Sequence, residues 1–123
     1  MFLIVDNTEE GKMVFSFWLN NKFAQRTYKA NDAKGVLFCL EKLLVDLKLK
    51  LKDIKHLGVV VGEGRFTASR LAVTAFNALA YSLKIPVVAL PKNFDSTTAL
   101  KLAQSAVVGK YIVPAYSAEA RIG

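Results

Sequence analysis

Leu57-Gly58-Val59-Val60-Val61-Gly62-Glu63-Gly64-Arg65-Phe66-Thr67-Ala68-Ser69-Arg70-Leu71 decides how this chain folds. The apolar run at 57–61 is continuous rather than alternating, as expected of a central strand covered on both faces. It closes on Gly62, and the small residues that follow open an alanine-rich helix over 67–83. Gly62 and Gly64 suit a tight strand-to-helix turn, and the first helical turn would offer unpaired N–H groups to an anion. Neither a dinucleotide-binding nor a Walker pattern is completed, because Thr67 occupies the third glycine position and no lysine follows Gly64. Glu63 also puts negative charge where phosphate would sit. A capped turn and a phosphate cradle, with Arg65, Arg70, Thr67 and Ser69 as its polar groups, are therefore the two readings.

On the N-terminal side, residues 2–5, 13–19 and 23–28 read as three antiparallel strands joined through Asn7-Thr8-Glu9-Glu10-Gly11 and Asn20-Asn21. Asn31 or Asp32 can cap a helix over 35–49, where Val36, Leu37, Leu40, Leu43, Leu44 and Leu47 recur at helical spacing. Phe38 and Val45 add a second apolar strip. That strip either contacts something outside the domain or is sandwiched within it. On the C-terminal side, residues 85–90 resume a buried strand, and Pro91-Lys92-Asn93 breaks it. Ser96 can then cap a third helix to about residue 105, and 111–115 read as a final strand. The order β-β-β-α-β-α-β-α-β implies one domain over 1–123, with a mixed sheet under helical cover.

Composition narrows the function classes. With 123 residues and 53% apolar content, the chain can bury a core of its own. Its apolar runs fall far short of the roughly 20 residues that span a bilayer, and no secretory signal pattern is present. Cys39 cannot form an internal disulfide and His56 has few partner ligands. A reduced, cytoplasmic setting without metal or histidine-based nucleophilic chemistry is expected. Asp6 and Glu63 are the acids expected at strand ends, with nothing to place them at acid–base separation. The net charge of +7 attracts acidic partners or RNA. Lys42, Lys48, Lys50, Lys52 and Lys55 form either a solvated helix end or an RNA site.

Gly62, Gly64, Phe66, Thr67 and Arg70 match the loop Gly-Pro-Gly-Ser-Phe-Thr-Gly-Leu-Arg-Ile-Gly of the TsaB (YeaZ) family, and the surrounding segments are collinear with it. Val5-Asp6-Asn7-Thr8 resembles that family's opening Ile-Asp-Thr-Ser, and Ile85-Pro86-Val87-Val88 its next strand. Val113-Pro114-Ala115 resembles the strand leading into its Asp-Ala-Arg-Arg-Gly-Glu segment. Glu63, Arg65, Ala68 and Ala72 depart from the family loop, and Ser117 with Glu119-Ala120 departs from the later segment. The resemblance implies a single lobe of the actin-like, sugar kinase and heat-shock ATPase (ribonuclease H-like) fold, without the second lobe that completes a nucleotide clamp. It implies a non-catalytic scaffold for a TsaD-type subunit in threonylcarbamoyladenosine modification of transfer RNA, with self-association, an indirect tRNA association and no cofactor. The helices 35–49 and 67–83 would make both contacts, through Phe38, Val45, Leu71, Thr74, Ala75, Ala78 and Tyr81.

Overall fold

The computed structural model describes residues 1–29, 35–61 and 66–113, the side chains of 66–69 excepted. The elements are β1 (Phe2–Asp6), β2 (Lys12–Leu19), β3 (Lys22–Lys29), α1 (Val36–Leu47), a 3₁₀ turn (Leu51–Asp53), β4 (His56–Val60), α2 (Phe66–Leu83), β5 (Val87–Leu90) and α3 (Ser96–Ser105). Together the strands form one mixed sheet of order β3-β2-β1-β4-β5. The β1–β2–β3 part is antiparallel, whereas β1, β4 and β5 run parallel. No helix among the described residues is long and apolar enough to cross a membrane.

Alternation along each strand divides the core in two. Leu3, Val5, Met13, Phe15, Phe17, Leu57 and Val59 face one way and meet Val36, Cys39, Leu40, Leu43 and Leu44 of α1 and Ala72, Val73, Phe76 and Ala80 of α2. Phe2, Ile4, Val60 and Leu90 face the other way, under Ala99 and Ala103 of α3. Two layers of helix thus cover the parallel half of the sheet, which explains the unbroken apolar run in β4. On the α3 side Gly58 leaves the room its neighbours use: a Cβ there would lie 3.0 Å from Ile4 and 3.2 Å from Leu90 and Phe2.

Turn chemistry sets the connections. Asn20 and Asn21, at φ 54° and 61°, make the two-residue turn that matches strand twist between β2 and β3. Both α1 and α2 end in a Schellman motif. After α1 the Lys48 amide donates to Val45 O and the Leu49 amide to Leu44 O; after α2 the Lys84 amide donates to Tyr81 O and the Ile85 amide to Ala80 O. The left-handed residue is lysine in both, at φ 58° and 57°. A non-glycine residue pays about 1–2 kcal/mol for that conformation, of which glycine's larger loss of chain entropy returns about 0.5–1 kcal/mol. Lys48→Gly and Lys84→Gly are each expected to raise stability by about 0.5–1 kcal/mol in urea titration. Destabilisation by either would contradict these turn geometries.

Several expectations are corrected. Residues 111–113 are not a strand: Asn77 Nδ2 donates to Ile112 O (2.8 Å) and the Ile112 amide donates to Asn77 Oδ1 (3.0 Å). The backbone groups that would have joined a sheet are satisfied by one α2 side chain instead, while 114–115 lie outside the described residues. Asp95, not Ser96, caps α3, because its Oδ1 accepts the Thr98 amide at 2.7 Å. The helix expected over 35–49 is Val36–Leu47, stopped by the turn at Lys48, and Gly35 precedes it without a side-chain cap. Asn31 and Asp32, the expected caps, lie outside the described residues. β4 starts and ends one residue earlier than expected, and β5 begins at Val87 because residues 84–86 complete the α2 turn.

Candidate functional site

Parallel strands bring their carboxyl ends to one edge, where open α/β sheets usually hold ligands. β1 ends there on Asp6 and β5 runs into Lys92. The Lys92 ammonium has three protons to place, and three oxygens receive them: Asp6 Oδ2 at 2.8 Å, Thr8 Oγ1 at 3.0 Å and Glu9 Oε2 at 3.3 Å. Thr8 in turn donates its amide (2.9 Å) and its hydroxyl (2.6 Å) to Asp6 Oδ1. Lys12 adds a second cation 3.2 Å from Glu9. Beside this cluster runs a groove of about 420 Å³ lined by Val14, Ser16, Phe23, Gln25, Phe94 and Ser96 as well as Asp6, Glu9 and Lys92.

Burial pushes the Asp6 carboxyl up, but the hydrogen bonds from Lys92 and Thr8 and the Lys92 charge outweigh it and hold it below the ordinary carboxylate range. A carboxylate held that low is a poor proton acceptor near neutral pH. Lys92, for its part, has its donors committed to the β1–β2 turn rather than turned toward an incoming phosphate. The edge therefore works as a clamp between the β1–β2 and β5–α3 turns. Because the folded pKa of Asp6 lies below its unfolded value, the stability it gives is present above the unfolded pKa and is lost as pH falls through the folded one. Lys92→Ala should raise the pH midpoint of acid unfolding and lift the Asp6 pKa in a carboxyl NMR titration. An unmoved Asp6 titration would refute the clamp.

The second feature is the outer surface of α1 and α2. Phe38 (51%), Val45 (69%), Leu71 (61%) and Tyr81 (73%) are exposed although each is large and apolar. Thr74 and Ala78 are exposed beside them and Ala75 is half-buried. The alanines of α2 divide by role: Ala72 and Ala80 are buried against the sheet, whereas Ala75 and Ala78 look outward. Between the helices lies an apolar groove of about 470 Å³ lined by Leu37, Leu40, Glu41, Leu44, Val45, Leu49, Leu51 and Leu79. Leu37, at 55% exposed, forms part of its rim.

Of the loop residues read from the sequence, Gly62 and Gly64 lie outside the described part, as does Glu63. Phe66 and Thr67 open α2, and Arg70 sits half-buried one turn further on. Among the described residues no group of three or more His, Cys, Asp or Glu side chains could hold a metal. His56 starts β4 with its ring edge-on to Phe2. Sequence reading missed Lys92. The available signal was a lysine directly after a parallel strand, which the topology carries to the end of β1.

A mixed sheet of this order, with two helices on one face and one on the other, defines one lobe of the ribonuclease H-like fold. Solved structures agree: YeaZ from Pseudomonas aeruginosa superposes with a TM-score of 0.64 at 21% identity, covering 73% of this chain and 42% of that one. An uncharacterised protein described as similar to peptidase YEAZ from Pseudomonas aeruginosa gives a TM-score of 0.65 at 19% identity, covering 85% and 48%. No protein-family model matches the chain. In sequence, 71 residues are 34% identical to the tRNA threonylcarbamoyladenosine biosynthesis protein TsaB of Buchnera aphidicola subsp. Schizaphis graminum (strain Sg). The match takes in 58% of this chain and spans 31% of the length of that relative. Over those 71 residues the chain resembles TsaB, and its fold is that of the YeaZ structures.

Proposed function

We propose that residues 1–123 act as a single-lobed, non-catalytic TsaB-like partner for a TsaD-type subunit in tRNA threonylcarbamoyladenosine modification, in the cytoplasm. The same helical face also pairs two copies of the chain. The observation that carries this reading is the apolar outer surface of α1 and α2, which exposes Phe38, Val45, Leu71 and Tyr81 and holds between the helices an open groove lined in part by Leu37 and Val45. Large apolar side chains left exposed on one helical layer mark an interaction site. It supports docking over chemistry, since the described acid cluster at the strand ends is neutralised internally by Lys92 and Lys12 together.

Analytical ultracentrifugation of the chain alone and with a TsaD-type subunit tests the proposal. Self-association and a defined heteromeric species are expected. A strict monomer with no detectable partner binding would sink it, and heat evolved on titration with ATP and Mg²⁺ would favour a nucleotide-binding role.

A further inference from the structure

The edge of the sheet opposite Asp6 gathers positive charge from separate parts of the chain. Both crossovers return there: α1 ends at Lys48 and leads through Lys50, Lys52 and Lys55 into β4, and α2 ends at Lys84 before β5. Leu57 pairs with Val87 and its amide donates to Pro86 O, so the two turns that carry Lys55 and Lys84 emerge side by side. All five lysines are exposed. Residues 48–56 and 84–86 contain one carboxylate against them, Asp53, whose Oδ2 accepts the Lys50 amide at 2.8 Å. Lys42, although close in sequence, instead lines a crevice with Tyr28, Lys29 and Cys39 on the β3 side of α1. Topology, not the sequence run, defines the cluster.

We infer that this amino edge, through Lys48, Lys50, Lys52, Lys55 and Lys84, binds the phosphate backbone of a folded RNA. Strain at the two turns points to a use for these side chains. Lys48 and Lys84 occupy the left-handed positions that glycine fills most easily, and such strain concentrates where a side chain is needed.

The make-up of the edge selects phosphate among anionic partners. Its ammonium groups can each sit on a phosphate oxygen as a point charge. Lysine is depleted in the cores of protein–protein interfaces, which argues against an acidic protein. Binding in a membrane surface needs several apolar side chains set beside the basic ones, and Leu51, 43% exposed, is the large apolar side chain exposed on these turns. Residues 48–55 and 84–86, which carry the lysines, include no Phe, Tyr or Trp for base stacking, so these turns read backbone rather than sequence, as is usual for double-helical RNA. The choice of RNA over DNA rests on the proposed role in tRNA modification; the recognition of phosphate does not.

The test uses the chain alone, so its outcome is separate from partner binding. Fluorescence anisotropy is measured with a labelled RNA hairpin, a DNA hairpin of equal length and anionic phospholipid vesicles, across a salt series. The RNA hairpin is expected to bind with affinity that falls steeply with salt, by roughly 0.7–0.9 in log–log slope per phosphate neutralised. The combined variant K50A/K52A/K84A should lose about two to three of that slope and roughly tenfold or more in affinity at moderate salt. K50R/K52R/K84R should retain binding. K12A/K29A/K101A, which removes the same charge from the opposite, Asp6 end of β2 and β3 and from α3, should change affinity much less. The inference is overturned if the wild-type chain shows no salt-dependent RNA binding, or if both alanine triples weaken it equally. Tighter binding to DNA than to RNA, or lysine-dependent binding to vesicles alone, would also overturn it.

Discussion

Phe38→Asp combined with Tyr81→Asp should leave the fold intact and reduce affinity for a TsaD-type subunit at least thirtyfold. The two side chains stand on different helices, and each is more than half exposed. Both side chains keep part of their area packed, Phe38 beside β3 and Tyr81 near Tyr111, so the double variant should cost roughly 1–3 kcal/mol and remain folded. In the proposed complex the same side chains fill the centre of the contact. Truncating one aromatic anchor typically costs about 2 kcal/mol or more, equivalent to roughly thirtyfold in Kd. Aspartate adds the cost of burying a charge without a partner. Self-association should weaken in parallel, because the proposed homodimer uses the same face. Leu102→Asp supplies the comparison: it places the same charge on α3, on the opposite side of the sheet, and should change neither equilibrium. If the double variant binds as tightly as the wild type, α1 and α2 are not the docking face.

Most of the fold was legible because burial imposes period. Leu3, Val5, Met13, Phe15 and Phe17 alternate with residues of the opposite face, and a central parallel strand reads as the unbroken run at 57–60. The outward strip on α1 was legible for a related reason. Phe38 and Val45 exceed what a helix needs to dock on a sheet, and both are exposed. Three features were hidden because they depend on which distant residues meet. Residues 111–113 carry the β-favouring pattern Tyr-Ile-Val, yet Asn77 satisfies the backbone of Ile112 from thirty-five positions away. Lys92 reads as part of a turn until the parallel pairing of β1, β4 and β5 brings it to Asp6. Lys84, isolated in sequence, joins the lysines at 48–55 through the same pairing. Local pattern fixes what each element is, whereas charge clusters are a property of their arrangement.

Phe76→Ala should have the largest effect on stability, lowering it by about 3–5 kcal/mol. Phe76 is fully buried and lies in the core cluster formed by α1, α2 and the β1–β4 part of the sheet. Removing its ring opens a cavity in that layer. The neighbouring α2 residues that face the sheet are the small Ala72 and Ala80, which have no reach to fill it. A domain of this size typically has about 5–15 kcal/mol in total, so the variant should be marginal, with Tm lowered by roughly 10–20 °C. Phe76→Leu, which keeps most of the volume, should cost less than about 1.5 kcal/mol. The pair separates packing from helix propensity, since alanine is the better helix former and propensity alone would make Phe76→Ala stabilising. A loss below about 1.5 kcal/mol for Phe76→Ala would mean that α2 does not seat against the sheet as described. The outward stripe of Leu71, Thr74, Ala78 and Tyr81, on which the docking proposal depends, would then have no fixed orientation.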